Sequence, residues 1–423
     1  MKIAVVGGGS TYTPELIDGI ARLRDKLVVE EVALVDPDEH RLDLVGGVCR
    51  RILAAQGHPA RLITTTDLDV GVEGADAVLL QLRVGGQEAR LVDETLPLEY
   101  CCVGQETTGA GGLAKALRTV PVVLDIARRV AELAPGAWIV NFTNPVGIVT
   151  RALLDAGHRA VGLCNVAIGM QRLLAGLLGV EPDLVALDHV GLNHLTWVRA
   201  VRQTDDSQHH DLLPALLAAH AETLADECGL PVATVRAFGS VPSYYLRYYF
   251  AHDAVVRELR NGVPRAAEVK EIERKLLDLY ADPDLDHKPA LLAERGGAYY
   301  SEAAVAVLSA LVGEHPQRLV VNVRNRGTLP FLEDDAVIEV PAQVSATGAQ
   351  PMQVDPLDPI QRGLVAHASA YEQLALDAAV HGGRARVARA LLGHPLIGQV
   401  EVAEQLTDAL LQANKQYLPW ARA

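Results

Sequence analysis

Short apolar runs alternate with helical patterns through the first part of the chain. Lys2-Ile3-Ala4-Val5-Val6 is apolar and β-branched and runs straight into Gly7-Gly8-Gly9-Ser10, which reads as a buried strand ending in a tight loop. A helix is expected from Thr13-Pro14-Glu15, with Thr13 as N-cap and Pro14 at the first helical position. Residues 31–35 read as the second strand, with Asp36 at its end, and residues 77–82 and 138–141 as further strands. A helix is expected over 120–133, within a helical stretch that starts at about Leu113. This alternation predicts an α/β fold with a Rossmann-like, doubly wound parallel sheet.

From about residue 170 the rhythm changes. Residues 170–178 and 211–225 read as helices, and 189–201 carries Gly191-Leu192-Asn193-His194 followed by a strand. Helices dominate 251–279, and another runs from the 295–301 segment to about Leu311. Residues 318–323 and 337–340 read as strands, 203–210 and 345–358 as loops, and the end from Gln361 as broken helix. The expected division is a nucleotide-binding domain over 1–170 and an intimately packed, mostly helical α+β substrate domain over 171–423.

A chain of 423 residues, 49% hydrophobic, can bury a large core. Its net charge of −15 argues against nucleic acid and anionic membranes as partners, and an anionic substrate would need a local cluster of Arg. No apolar run reaches the roughly 18 residues of a membrane span. Lys2 leads directly into an apolar strand without a cleavage pattern, so no signal peptide and a cytoplasmic location are expected. The five cysteines show no CxxC spacing and fit reduced thiols.

Strand, glycine loop and helix start together suit a dinucleotide diphosphate, with loop N–H groups and the helix dipole facing the anion. Asp36 stands where a carboxylate takes the ribose hydroxyls of NAD. The fingerprint departs from the usual one: position 12 is Tyr, not Gly, and the alternative to a dinucleotide site is a plain tight turn between strand and helix. Polar stretches at the expected strand ends include Arg83 and Arg90, Asn141-Phe142-Thr143-Asn144-Pro145, and Cys164-Asn165. By residue type alone, Cys164 fits a small core residue, His194 a satisfied core histidine, and Tyr244-Tyr245-Leu246-Arg247-Tyr248-Tyr249 a packing cluster.

Six motifs in order, over nearly the whole chain, change that balance. They are Gly7-Gly8-Gly9-Ser10-Thr11-Tyr12-Thr13-Pro14-Glu15, Gln105-Glu106-Thr107-Thr108-Gly109, Asn141-Phe142-Thr143-Asn144-Pro145, Gly162-Leu163-Cys164-Asn165, Gly191-Leu192-Asn193-His194 and Arg295-Gly296-Gly297-Ala298-Tyr299-Tyr300-Ser301. With them the sequence resembles glycoside hydrolase family 4, most closely its 6-phospho-β-glucosidase branch. The family departs from two-carboxylate glycosidase chemistry. The resemblance implies oxidation of the sugar at C3 by NAD, deprotonation at C2 by a tyrosinate, elimination of the aglycone, addition of water and re-reduction. A divalent metal, typically Mn²⁺, would bind the sugar oxygens and stabilise the enolate.

Carried onto this sequence, the resemblance makes Cys164 and His194 the metal ligands, Tyr245 the base and Glu106 the group that tunes it. Tyr244 is the alternative base. Gly7, Gly9, Ser10, Thr11, Asp36 and Asn141 would bind the cofactor. Arg90, Asn144, Asn165 and Arg265 would bind a phosphorylated disaccharide or aryl glucoside, with Arg83 and Arg295 as further candidates. The α-specific branches tend to carry Asp after the Cys, and Asn165 here favours the β branch and leaves the leaving-group acid unassigned. A homodimer or homotetramer is expected. An NAD-dependent dehydrogenase of the malate or lactate type is the rival, and a non-catalytic NAD-binding regulator a second one. Neither needs the Cys164/His194 pair.

Overall fold

The structure, a computed structural model, describes residues 1–208, 210–297, 299–313 and 315–421. His209 of the expected 203–210 loop, Ala298 of the 295–301 motif, and Arg422 and Ala423 at the end lie outside the described residues. Six parallel strands form the first part of the sheet: β1 (Lys2–Val6), β2 (Glu31–Val35), β3 (Arg61–Thr65), β4 (Ala77–Leu80), β5 (Trp138–Asn141) and β6 (Ala160–Gly162). Their order, β3-β2-β1-β4-β5-β6, reverses between β1 and β4, as in sheets that bind dinucleotides. The predicted doubly wound parallel sheet is present.

The second part holds more strand than expected. It contributes β7 (Val185–Leu192), β8 (Leu195–Gln203), β9 (Val241–Pro242), β10 (Gln317–Arg324), β11 (Val337–Ser345) and β12 (Gly348–Pro351). These continue the sheet beyond β6 in the order β10-β11-β7-β8-β9, pairing antiparallel, with β12 on β11. A single 12-stranded sheet therefore runs through both parts of the chain. β12 falls in the stretch read as a loop.

Strand alternation divides the core between the two faces. Ile3, Val5, Leu34 and Leu79 pack on one face with Ile17, Ile20, Leu276 and Leu308. Ala4, Val6, Leu80 and Ile139 pack on the other with Leu113, Leu117, Ala375 and Leu406. Helices from late in the chain thus cover both faces of the parallel strands.

Three of the departures from the expected elements have a local reason. The first helix is Thr13–Arg22 with Pro14 in its first turn, but Thr13 is not its cap: the Thr13 hydroxyl turns back to Gly8 O at 2.9 Å. β4 stops two residues early because the Leu82 N–H bonds the Thr143 hydroxyl at 2.9 Å and the Gln81 side chain bonds Gly7 O and Thr13 Oγ1. The helix expected from about Leu113 begins at Gly109 and ends at Leu133. Its start is hidden by glycines of low helix propensity. A Cβ on Gly111 would lie 2.3 Å from Gln105 O and 2.5 Å from Asp93 O.

Candidate functional site

The carboxyl ends of β1, β2, β4, β5 and β6 open onto a cavity of about 950 Å³. The glycine loop forms one wall. Gly7 has φ +88°, and a Cβ there would lie 2.7 Å from Gln81 O; a Cβ on Gly9 would lie 2.8 Å from Asp36 Cγ. Glycine is required at both positions by this close approach. The loop amides from Gly7 to Ser10 are bonded inside the protein: Gly7 and Gly8 donate to Val35 O, Gly9 to Asp36 Oδ2 and Ser10 to Gly7 O. These four amides are engaged inside the protein, where the sequence reading had loop amides facing an anion. Cationic side chains stand there instead. The Arg295 guanidinium reaches Thr11 Oγ1 at 2.8 Å and Ser10 Oγ at 3.4 Å, and Arg41 donates to Gly9 O at 2.9 Å. Asp36 lines the cavity and accepts from Gly9 N and Asp38 N, and burial raises its carboxyl.

The floor is a knot of charge around Glu106. Its carboxylate accepts from Arg83, accepts from Lys115 Nζ at 2.6 Å and lies 3.3 Å from Arg90 Nε. Burial alone would raise this carboxyl, but Arg83, Lys115 and Arg90 hold it well below the usual range. Burial lowers the Lys115 ammonium to about 8 against the pull of Glu106. The cavity carries Arg41, Arg83, Arg90, Lys115 and Arg295 against Asp36, Asp38, Glu106 and Glu273. Cations outnumber carboxylates here although the whole chain is strongly acidic.

His194 and Tyr245 close the cavity on the far side. His194 is the second residue of the two-residue turn between β7 and β8, at φ +63°. That region is strained for a residue with a side chain. The imidazole is held in place by the Tyr245 ring, stacked at 3.6 Å between centroids with 6° between planes, and by Thr107 Oγ1 at 3.0 Å from Nδ1. Burial lowers it to about 4, so the ring is uncharged at neutral pH. Cys164 follows β6, is 4% exposed and is bonded by Val166 N, Asn193 and Tyr300. Burial, then the nearby Glu339 charge, pushes its thiol up to about 12. Burial, then Cys164, Tyr248 and Glu106, pushes the Tyr245 phenol well above its ordinary value, while Arg90 pulls it down.

Residues 2–180 match the model of the Family 4 glycosyl hydrolases, and residues 189–397 match that of the family's C-terminal domain. The chain belongs to glycosyl hydrolase family 4. The Bacillus subtilis (strain 168) protein named "Probable 6-phospho-beta-glucosidase" is 39% identical, over 99% of this chain and 97% of that protein. The "6-phospho-beta-glucosidase" of Escherichia coli (strain K12) is 35% identical, over 99% of this chain and 96% of that protein. The 6-phospho-beta glucosidase of Thermotoga maritima, solved with manganese, NAD+ and glucose-6-phosphate, superposes with a TM-score of 0.92 at 32% identity, covering 99% of both chains.

Within this family 4 chain, eleven of the residues singled out from sequence line one cavity: Gly7, Ser10, Asp36, Arg83, Arg90, Glu106, Asn144, Asn165, His194, Tyr245 and Arg295. Asn165 stands at the N-terminus of the helix Val166–Leu178. Gly9, Thr11 and Cys164 lie just behind the wall. Gly9 spends its N–H on Asp36, and Thr11 is fully buried with its O accepting from the Tyr280 hydroxyl at 2.7 Å. Two expectations need correction. Asn141 does not face the cavity: it is fully buried and its amide is used on Thr143 and Thr150, which shapes the loop after β5. Arg265 does not line it either: at the start of the helix Arg265–Tyr280 its guanidinium faces outward, bonded to Glu268 Oε2 and Glu294 O. Lys115, Tyr300 and Glu273 line the cavity and were not assigned from sequence. Lys115 had a signal, a lone lysine in the small and apolar run Ala110-Gly111-Gly112-Leu113-Ala114.

Behind His194 lies a second cavity of about 30 Å³, the size of a single water, walled by Thr107, Asn193, Tyr249, Glu372 and His394. Burial raises the Glu372 carboxyl from 4.5 to about 8, and Arg151 offsets this only in part. The folded chain keeps a proton there that the unfolded chain loses above about 4.5. The associated stability is present at low pH and lost as pH rises toward 8. Glu372→Gln removes that slope. Its melting temperature is expected to gain on the unsubstituted protein from pH 5 to pH 8 in thermal melts. A difference that stays flat across this range would reject the assignment.

Proposed function

We propose that this family 4 glycosidase hydrolyses 6-phospho-β-glucosides, with NAD and a divalent metal, Mn²⁺ foremost, as cofactors. The observation that carries the reading is the stack of Tyr245 on His194 inside a cavity that also holds the Glu106 knot. The relatives named as 6-phospho-beta-glucosidases support the substrate class. The metal-dependent redox cycle is the finer part of the proposal, as is the division of labour at about residue 170. In that division residues 1–170 hold the nucleotide and 171–423 complete the site.

Both cofactors suit the residues present. For NAD, the wall at Gly7 and Gly9 admits no Cβ, Asp36 keeps lone pairs for ribose hydroxyls, and Arg295 and Arg41 supply positive charge. For the metal, His194 is uncharged with Nδ1 engaged by Thr107, which leaves Nε2 as donor. Cys164 adds a thiol that a cation would deprotonate. Among the described residues no cluster of three or more His, Cys, Asp or Glu is arranged to hold a metal. A two-ligand site leaves positions for sugar oxygens.

When bound, NAD supplies a reversible hydride acceptor and the metal supplies positive charge beside the sugar oxygens and the Tyr245 phenol. Tyr245 takes the C2 proton, and its phenol oxygen is the atom that carries it. Glu106 raises the basicity of that oxygen by charge and is itself kept ionised by Arg83, Arg90 and Lys115. Arg90, Asn144 and Asn165 orient the sugar, and the surplus of cavity cations receives the phosphate. Arg265 faces outward, bonded to Glu268, and is not one of them. A homodimer or homotetramer in the cytoplasm completes the proposal; among the described residues no helix is long and apolar enough to cross a membrane.

The test is release of nitrophenol from its 6-phospho-β-glucoside under reducing conditions, with NAD⁺ and Mn²⁺ added or withheld separately. Dependence on both, without net NADH, is the expected outcome. Cleavage that needs neither would overturn the redox mechanism. NADH accumulating in proportion to product would favour a dehydrogenase.

A further inference from the structure

Glu339 is the third residue of β11 and is 1% exposed, where an isolated carboxylate would be costly. Three donors satisfy it. His189 Nε2 lies 3.0 Å from Oε1, while Asn193 Nδ2 at 2.8 Å and Asn322 Nδ2 at 2.9 Å both reach Oε2. Burial alone would raise this carboxyl, but these donors bring it below its ordinary value, so it is ionised. His189 Nδ1 is buried without a hydrogen-bond partner among the described residues. The Nε2–H tautomer therefore fits, donating to Glu339 and leaving no buried N–H unpaired.

His189 lies in β7, Asn193 in the turn after it and Asn322 in β10, on either side of β11. β6 meets β10 through the pair Gly162 and Asn322, and β11 meets β7 through Glu339 and Gly191. Gly162 is two residues before Cys164, and Gly191 is three before His194. Both are glycines at close approach: a Cβ on Gly162 would lie 2.8 Å from Asn322 Cβ, and one on Gly191 would lie 2.1 Å from Leu195 O. Asn193 also bonds the Cys164 thiol. The register at each of these two contacts is a single residue pair, and the Glu339 bonds add to it.

We infer that Glu339 is a positioning residue: its carboxylate fastens the Cys164 strand end and the His194 turn to one point, and fixes the spacing at which those two side chains meet a metal. The inference rests on the proposed metal role of Cys164 and His194. Three donors converge on a group that only accepts, so an amide cannot replace it without turning an N–H toward one of them. Outer-shell partners that bond a ligand directly are typically worth about 10–100-fold in metal affinity, and Glu339, acting through Asn193 and Asn322, falls at the low end of that range.

The test is Mn²⁺ titration of the NAD-loaded full chain, followed by the electron paramagnetic resonance signal of free Mn²⁺, for the unsubstituted protein and for Glu339→Gln. Binding weaker by about 10-fold, with NAD affinity unchanged, is expected. Equal Mn²⁺ affinity in the two proteins would overturn the role of Glu339 and leave the metal site standing. Absence of Mn²⁺ binding by the unsubstituted protein would bring down the metal site and this inference together. If Glu339→Gln does not fold, Asn322→Leu, which cuts only the link toward Gly162, decides by the same titration: weaker Mn²⁺ binding supports the inference and equal binding overturns it.

Discussion

Replacing Tyr245 with Phe is expected to lower turnover by about 10²–10⁴-fold, the usual worth of a positioned acid–base group. Phenylalanine keeps the ring that stacks on His194, so the imidazole stays supported at its strained φ of +63°. Only the phenol oxygen is lost. Deuterium exchange at C2 of the sugar should fall with turnover, while NAD affinity and KM change little. Tyr244 is the near neighbour in sequence, yet it is 43% exposed and its hydroxyl is bonded to Arg247. Tyr244→Phe should therefore leave exchange intact. Tyr300 is the serious competitor, because it lines the same cavity and bonds Cys164. If Tyr300→Phe abolishes exchange and Tyr245→Phe does not, the base has been misassigned.

Cys164→Ser is the second large effect. The exchange is nearly isosteric, and a hydroxyl can keep the bonds to Val166 N, Asn193 and Tyr300, so folding should survive. What is lost is a group that a cation can deprotonate. The thiol, pushed up to about 12 by burial and Glu339, becomes a thiolate only with a cation beside it. A serine hydroxyl is a far weaker acid. Mn²⁺-dependent turnover is expected to fall by at least about 10²-fold, beyond the loss for an outer-shell group. Cys164 lies behind the cavity wall, so NAD affinity should be retained. Undiminished turnover at ordinary Mn²⁺ concentrations would remove Cys164 from the metal site.

The sequence carried the local part of this site well. Lys2–Val6, the glycine loop and Asp36 could be read because a buried strand, a tight turn and a strand end each leave a signature within about ten residues. Gly111 and Gly112 had the opposite effect. They serve packing against Asp93, Gln105 and Thr107, and so they concealed the start of a long helix. Asn141 and Arg265 show the limit of carrying a role by position. One amide is used inside its own loop, and one guanidinium turns to solvent, and neither outcome is written in the residue type.

By itself the sequence determined the parallel α/β class, the order of the motifs and most of the residues that reach the cavity. Its hydrophobic period and turn chemistry act over short distances, and the family motifs mark positions rather than contacts. The tertiary structure decided which of those positions meet. Cys164 and His194 both come to lie beside Tyr245 although β10 and β11, from more than a hundred residues further along the chain, stand between β6 and β7. Glu339, which ties that junction, belongs to no motif read from the sequence, because its partners His189, Asn193 and Asn322 are its neighbours only in the folded sheet.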